Sequence, residues 1–155
     1  MNEINIDIKN RLDSFIASKK IPHILFHGPS GSGKRTLVFD FINRIYKNKE
    51  EEKQFVFFVN CAHGKGIKFI REEVKFFAKM HINNFDGNKF KCIILCNADK
   101  LTIDAQSALR RCIELFSHNT RFFIIIEDKS KLLKPIVSRF SDIYIPYPNI
   151  NKKIE

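Results

Sequence analysis

Three of the six glycines in the chain lie between positions 28 and 33. The stretch reads Gly28-Pro29-Ser30-Gly31-Ser32-Gly33-Lys34-Arg35-Thr36, between a short apolar run, His23 to His27, and a segment of helical periodicity that starts at Lys34. Glycines let the backbone curl until successive N–H groups converge on one point. The helix N-terminus adds its partial positive charge there, and Lys34 supplies a point charge for outer phosphates. Strand, glycine turn and helix in that order are the context in which this pattern means phosphate binding. The candidate nucleotide-binding residues are therefore Gly28, Pro29, Ser30, Gly31, Ser32, Gly33, Lys34, Arg35 and Thr36.

The fit has one departure. A serine or threonine directly after the lysine places its hydroxyl on magnesium, but here that position is Arg35 and Thr36 follows one place late. The loop predicts binding of ATP or ADP, with weak affinity, and puts ordinary Mg2+ coordination in doubt. No metal ligands are assigned.

The rest of the chain alternates helix and strand. Periodicity predicts helices over 3–18, 34–47, 66–82 and 102–116, a short helix within 131–137, and strands over 23–27, 55–60, 90–96, 121–126 and 142–145. Ile8, Leu12, Phe15 and Ile16 share one face of the first helix, and Pro22 breaks it. Ile67, Ile70, Val74 and Phe77 form the inner stripe of the third, and Ala105, Leu109, Cys112 and Phe116 that of the fourth. The run from Asn48 to Lys53 reads as a charged turn. Apolar strands separated by helices imply an α/β fold, a five-stranded parallel sheet with helices on both faces. The expected order is 5-1-4-3-2, with strand 23–27 central and flanked by strands at 90–96 and 142–146. One domain over residues 1–150 is expected, with 151–155 the start of a lid or a C-terminal tail.

The net charge is +10 and the pI about 9.6, which favours a polyanionic partner such as nucleic acid. Arg71, Lys75 and Lys79 stand at helical spacing with Lys68 beside them. The four cysteines, Cys61, Cys92, Cys96 and Cys112, form no CxxC pair and read as reduced core residues. The histidines show no ligand spacing. The polar, acidic start, Met1-Asn2-Glu3, does not read as a signal peptide, and no apolar run is long enough to span a bilayer. A nuclear or cytoplasmic setting is expected, or a viral factory if the source is viral, and secretion is not.

Three further stretches carry a family resemblance. Ile93-Ile94-Leu95-Cys96-Asn97-Ala98-Asp99-Lys100-Leu101, continuing into Asp104-Ala105-Gln106-Ser107-Ala108-Leu109-Arg110-Arg111, resembles the Walker B strand and central helix of AAA+ clamp loaders, the small subunits of replication factor C. Asn60-Cys61-Ala62, Gly66-Ile67, Arg71 and Phe77-Ala78 are similar to a second segment of that family, and Thr120-Arg121-Phe122 with Pro135-Ile136-Val137-Ser138-Arg139-Phe140 to its TRF and PIxSRC motifs. The resemblance runs from about residue 8 to residue 146.

It implies an AAA+ core that binds nucleotide and assembles with other clamp-loader subunits into a hetero-pentamer. That assembly loads a sliding clamp onto primer–template DNA in replication. The resemblance makes Arg139 an arginine finger for the neighbouring subunit's ATP, and Arg71, Lys75 and Lys68 candidate DNA contacts. Where the family has a magnesium-ordering aspartate and a water-activating glutamate, this chain has Cys96 and Asn97, and Glu127 stands at the sensor asparagine. Neither Cys96 nor Asn97 can serve as a carboxylate base, so the chain resembles the non-hydrolysing type of small subunit. The family's N-terminal YRP segment has no counterpart before Met1, and its lid and collar would follow residue 150. A bacterial delta-prime subunit also has a degenerate loop and an SRC motif, but the cysteine-rich insertion usual there is not seen between 47 and 55. The alternatives are an active P-loop ATPase using Thr36 and Asp99 in shifted geometry, and a degenerate P-loop module that binds only protein.

Overall fold

A computed structural model describes residues 3–63, 66–81 and 89–147 of the chain. Helix α1 (Glu3–Ser18) buries Ile8 and Leu12 and packs Phe15 and Ile16 beside them, the face expected from spacing. It ends at Lys19, which takes a left-handed φ of 58°. Strand β1 (Ile24–His27) leads through the glycine loop into α2 (Lys34–Ile45). The run expected to be a charged turn is a helix instead, α3 (Lys49–Phe55). Its charges are ordered, not random. Asn48 caps it by accepting the Glu51 N–H at 2.8 Å, Glu50, Glu51 and Glu52 fill the positive first turn, and Lys53 sits in the last. Phe55 closes this helix, so strand β2 (Val56–Asn60) begins one residue later than expected.

The helix expected over 66–82 is three pieces: α4 (Ile67–Phe69), a π-helical turn (Ile70–Val74) and α5 (Lys75–Lys79). Ile82 lies outside the described residues. Buried Lys91 donates its ammonium protons to the carbonyls of Phe77 at 3.1 Å and Met80 at 2.6 Å, and also to that of Ala78, satisfying the end of α5. Lys91 opens β3 (Lys91–Cys96), and α6 (Ile103–Phe116) follows, capped by the Thr102 hydroxyl, which accepts the Ala105 N–H at 3.1 Å. After β4 (Thr120–Ile126) comes a 3-10 turn at Lys129–Lys131, and the short helix expected within 131–137 is α7 (Lys134–Val137). Strand β5 (Ser141–Tyr144) starts one residue before the expected 142.

All five strands are parallel, in the order β2-β3-β4-β1-β5, which is the expected 5-1-4-3-2 read from the other edge. Strand β1 is internal, as expected, but its neighbours differ from one expectation. Ile24 registers with Phe123 of β4 and Ser141 of β5, so 120–126, not 90–96, flanks the loop-bearing strand. Strand β3 stands one place further out, between β2 and β4.

Alternate residues of each strand feed two cores. On one face Leu25, Ile93, Leu95, Phe122 and Ile124 pack with Ile70 and Val74 of the π-helical turn, Leu109 of α6 and Ile136 of α7. On the other, Phe26, Ile94, Phe123 and Ile125 pack with Leu12, Val38, Phe41 and Tyr46 from α1 and α2. All four cysteines are buried and reduced. The expected boundary at residue 150 and the tail 151–155 lie outside the described residues.

Candidate functional site

The glycine loop leaves β1 on the carboxyl side of the sheet. Gly28 lies against β5: a Cβ there would stand 2.0 Å from the Ile145 carbonyl oxygen. Gly31 and Gly33 take φ of 81° and 87°, the left-handed region where side chains are strained. Lys34, the first residue of α2, is 8% exposed, and its ammonium donates to the carbonyls of Gly28 at 2.7 Å and Pro29 at 2.8 Å. Burial pulls its pKa below the ordinary value, against the opposing fields of Glu127 and Cys96. The charge therefore sits in the loop, held by carbonyls that phosphate oxygens can replace as partners.

A cleft of about 310 Å³ opens over this loop. Ser30, Gly31, Gly33, Lys34, Arg35 and Thr36 line its near wall. Of the other expected loop residues, Ser32 is buried, and Gly28 and Pro29 hold Lys34 from beneath. The far wall comes from the ends of β3 and β4, through Cys96, Asn97 and Glu127. The two positions read as replaced carboxylates thus do face the loop lysine. Asn97 has a left-handed φ of 58°, and its amide donates to the Asn60 side-chain oxygen at 2.9 Å. Burial raises the pKa of the Cys96 thiol, partly opposed by Arg35 and Lys34. Among the described residues no group of three or more His, Cys, Asp or Glu could hold a metal ion.

A second cleft, about 240 Å³, lies between the π-helical turn with α5 and α6. Arg71 and Lys75 meet there, with Arg111 of α6 opposite and Cys112, Leu115 and Phe116 forming an apolar floor. Lys68 is exposed one turn earlier and, like Lys79, does not line this cleft. Sequence reasoning missed Arg111 as a third member, because the cleft joins two segments far apart in the chain.

Arg139 follows α7 and is exposed. Its guanidinium donates to the Pro135 carbonyl and pairs with Glu114 on α6, which also accepts from Arg110 at 3.1 Å. Gln106 joins the same elements from inside. Its amide donates to the carbonyls of Leu101 at 3.2 Å and Lys131 at 3.3 Å, and its oxygen accepts the Leu133 N–H at 2.9 Å. The Ala105-Gln106 pair was visible in the sequence, but the role of Gln106 depends on a loop about 25 residues away. His23 and His27 are structural, as expected: His23 Nδ1 accepts the Phe122 N–H at 3.0 Å, and His27 contacts Asp142.

Residues 4–149 match the sequence model of a family described as DNA polymerase III, delta subunit. The chain is 40% identical over 133 residues to a replication factor C small subunit of Sulfolobus acidocaldarius, an alignment covering 86% of this chain and 40% of that protein. It is 38% identical over 133 residues to the corresponding protein of Halobacterium salinarum, again over 86% of this chain and 40% of the other. The chain thus spans about two fifths of the length of these relatives. Among solved structures, a DNA polymerase III gamma subunit-related protein of Thermotoga maritima superposes with a TM-score of 0.72 at 18% identity, covering 92% of this chain and 48% of that one. The RuvB Holliday junction branch migration motor of Thermotoga maritima gives 0.62 at 17% identity, over 90% and 44%.

Proposed function

The chain belongs to the DNA polymerase III delta-subunit family and has the AAA+ P-loop fold of clamp loaders, and on that premise we propose that it is the core of a replication factor C-type small subunit that binds nucleotide without hydrolysing it. One observation carries this reading. The cleft over Lys34 is walled by Cys96 and Asn97 where phosphoanhydride hydrolysis needs a carboxylate pair. Asp99, through which a shifted active site would have to work, does not line the cleft. Phosphates would be held by the loop N–H groups and by Lys34, with weak affinity for ATP or ADP.

In this reading the chain assembles with other clamp-loader subunits in a hetero-pentamer, in the nucleus or cytoplasm, where Arg139 reaches the neighbour's ATP. The exposure of Arg139, with its guanidinium beside Pro135 and Glu114, supports that role. Primer–template DNA would lie along Arg71, Lys75 and Arg111, three cations with no acidic residue among the described residues lining their cleft, with Lys68 outside it. The assembly would then load a sliding clamp.

Arg139 gives the test. In an assembly with hydrolysing subunits of the same family, Arg139→Ala in this chain lowers ATP turnover by the neighbour about 10³-fold or more, the scale of an arginine finger. Nucleotide binding by this chain stays unchanged. Turnover equal to that of the unmodified assembly contradicts the proposal.

A further inference from the structure

Arg35 occupies the position whose hydroxyl meets the metal in an ordinary P-loop, and its side chain is held in a defined place. The guanidinium carbon stands 5.1 Å from the centroid of the Phe58 ring on β2. Phe58 packs in turn against Phe39 of α2, with ring centroids 5.4 Å apart. From this aromatic support Arg35 faces the same cleft as Cys96, at the position of the missing aspartate, and its charge opposes the rise that burial gives the Cys96 pKa. A cation–π contact places this flexible side chain at the cleft wall. Arg35 and Lys34 thus both line the cleft that Cys96 and Asn97 close from the other side.

Magnesium does not fit this arrangement. It demands near-octahedral hard oxygen ligands at about 2.0–2.1 Å. The groups at the end of β3 are a thiol, which suits softer metals, and a neutral amide, a weaker ligand than the carboxylate it replaces, so Glu127 at the end of β4 is the one carboxylate among the described residues lining the cleft. The guanidinium is permanently charged and stands beside them, so a divalent ion would meet a like charge. The same guanidinium suits phosphate well, because its planar fork presents paired N–H donors to phosphate oxygens.

We propose that this site takes a nucleoside di- or triphosphate free of divalent cation, with the Arg35 guanidinium providing the positive charge that magnesium provides in a P-loop NTPase. The inference rests on the reading that the loop binds nucleotide, and it adds the form of the ligand. Chelation by Mg2+ occupies the phosphate oxygens that Lys34 and Arg35 would bind, so the metal complex competes with the free nucleotide and does not assist it. A nucleotide held this way also has no metal-bound water or metal-neutralised leaving group, consistent with a subunit that retains what it binds.

The test is titration of the chain with a fluorescent ADP analogue, once in EDTA and once in millimolar Mg2+ at matched ionic strength. Affinity in EDTA is expected to equal or exceed that in Mg2+. Lys34→Ala abolishes binding in both. Arg35→Thr weakens binding in EDTA by about tenfold or more, the scale of a charge-assisted hydrogen bond. Arg35→Thr with Cys96→Asp makes binding Mg2+-dependent. The unmodified chain decides the matter even if a variant fails to fold. Binding about tenfold weaker in EDTA than in Mg2+ overturns the metal-free site while leaving the nucleotide reading intact. Absence of any Lys34-dependent binding under either condition overturns both.

Discussion

Gly28 and His23 show how single positions on β1 and its flanks are fixed by their neighbours. Adding one methyl at Gly28 drives it into the Ile145 backbone, which cannot rotate away as a side chain could. Gly28→Ala is expected to cost about 1–3 kcal/mol, as other overpacked sites do, and to lower the melting temperature by roughly 2–4 °C per kcal/mol. Gly66→Ala, where no atom lies within 4 Å, should change it little. Thermal melts of the two variants check this. His23 is held neutral: burial first, then the Arg121 charge, lowers its pKa from 6.5 to about 4. Between those values the unfolded chain binds a proton that the folded chain refuses, so stability rises with pH there. The contribution is complete above pH 6.5 and is lost as the pH falls towards 4. Denaturant titrations should show stability dropping by roughly 1–3 kcal/mol across that window, with the ring's partial exposure limiting the size. His23→Asn, which keeps an acceptor for the Phe122 N–H without titrating, should flatten the slope. An equal slope in the variant would assign the pH dependence to other groups.

At the scale of elements, α6 is the joint. Its outward face carries Arg111 to the basic cleft, Gln106 ties its start to the loop before α7, and Glu114 near its end holds Arg139. The inner stripe of this helix was legible because helical spacing alone places Ala105, Leu109, Cys112 and Phe116 together, and all four are buried. The cleft was only half legible. Arg71 and Lys75 follow from local spacing, but Arg111 reaches them through the fold. Lys79, one turn further along α5, does not line the cleft. The helical nature of 49–55 was hidden because a dense run of Glu and Lys reads as a polar turn until its cap and charge order are weighed. If the cleft meets phosphates, Arg71→Ala with Lys75→Ala should lower the salt dependence of DNA binding by about two units, at ~0.9 per lost contact. Charge removal at Lys47 and Lys49 should change it much less. Equal losses in the two pairs, measured by DNA titration over a range of salt, would make the +10 charge a general surface property.

For the molecule as a whole, the glycine loop predicted the sheet. A phosphate loop between strand and helix requires a parallel, two-faced core, and the order β2-β3-β4-β1-β5 is the one expected. Naming 90–96 as a neighbour of β1 was at odds with that order, because β3 and β4 both carry an apolar run after a polar start and nothing local says which is innermost. The candidate site was legible where residue type alone carries the chemistry: Lys34, the replaced carboxylates at Cys96 and Asn97, and Glu127 all line one cleft. The direction taken by Arg35 was not, because its support, Phe58, lies on a different strand. The central claim is that this core holds nucleotide and does not turn it over. Its most direct test is steady-state ATP turnover by the purified chain beside Lys34→Ala. Loss of a general base alone costs ~10²–10⁴ in rate, so the account predicts turnover at background and equal in the two proteins. Clear turnover that Lys34→Ala abolishes would contradict it.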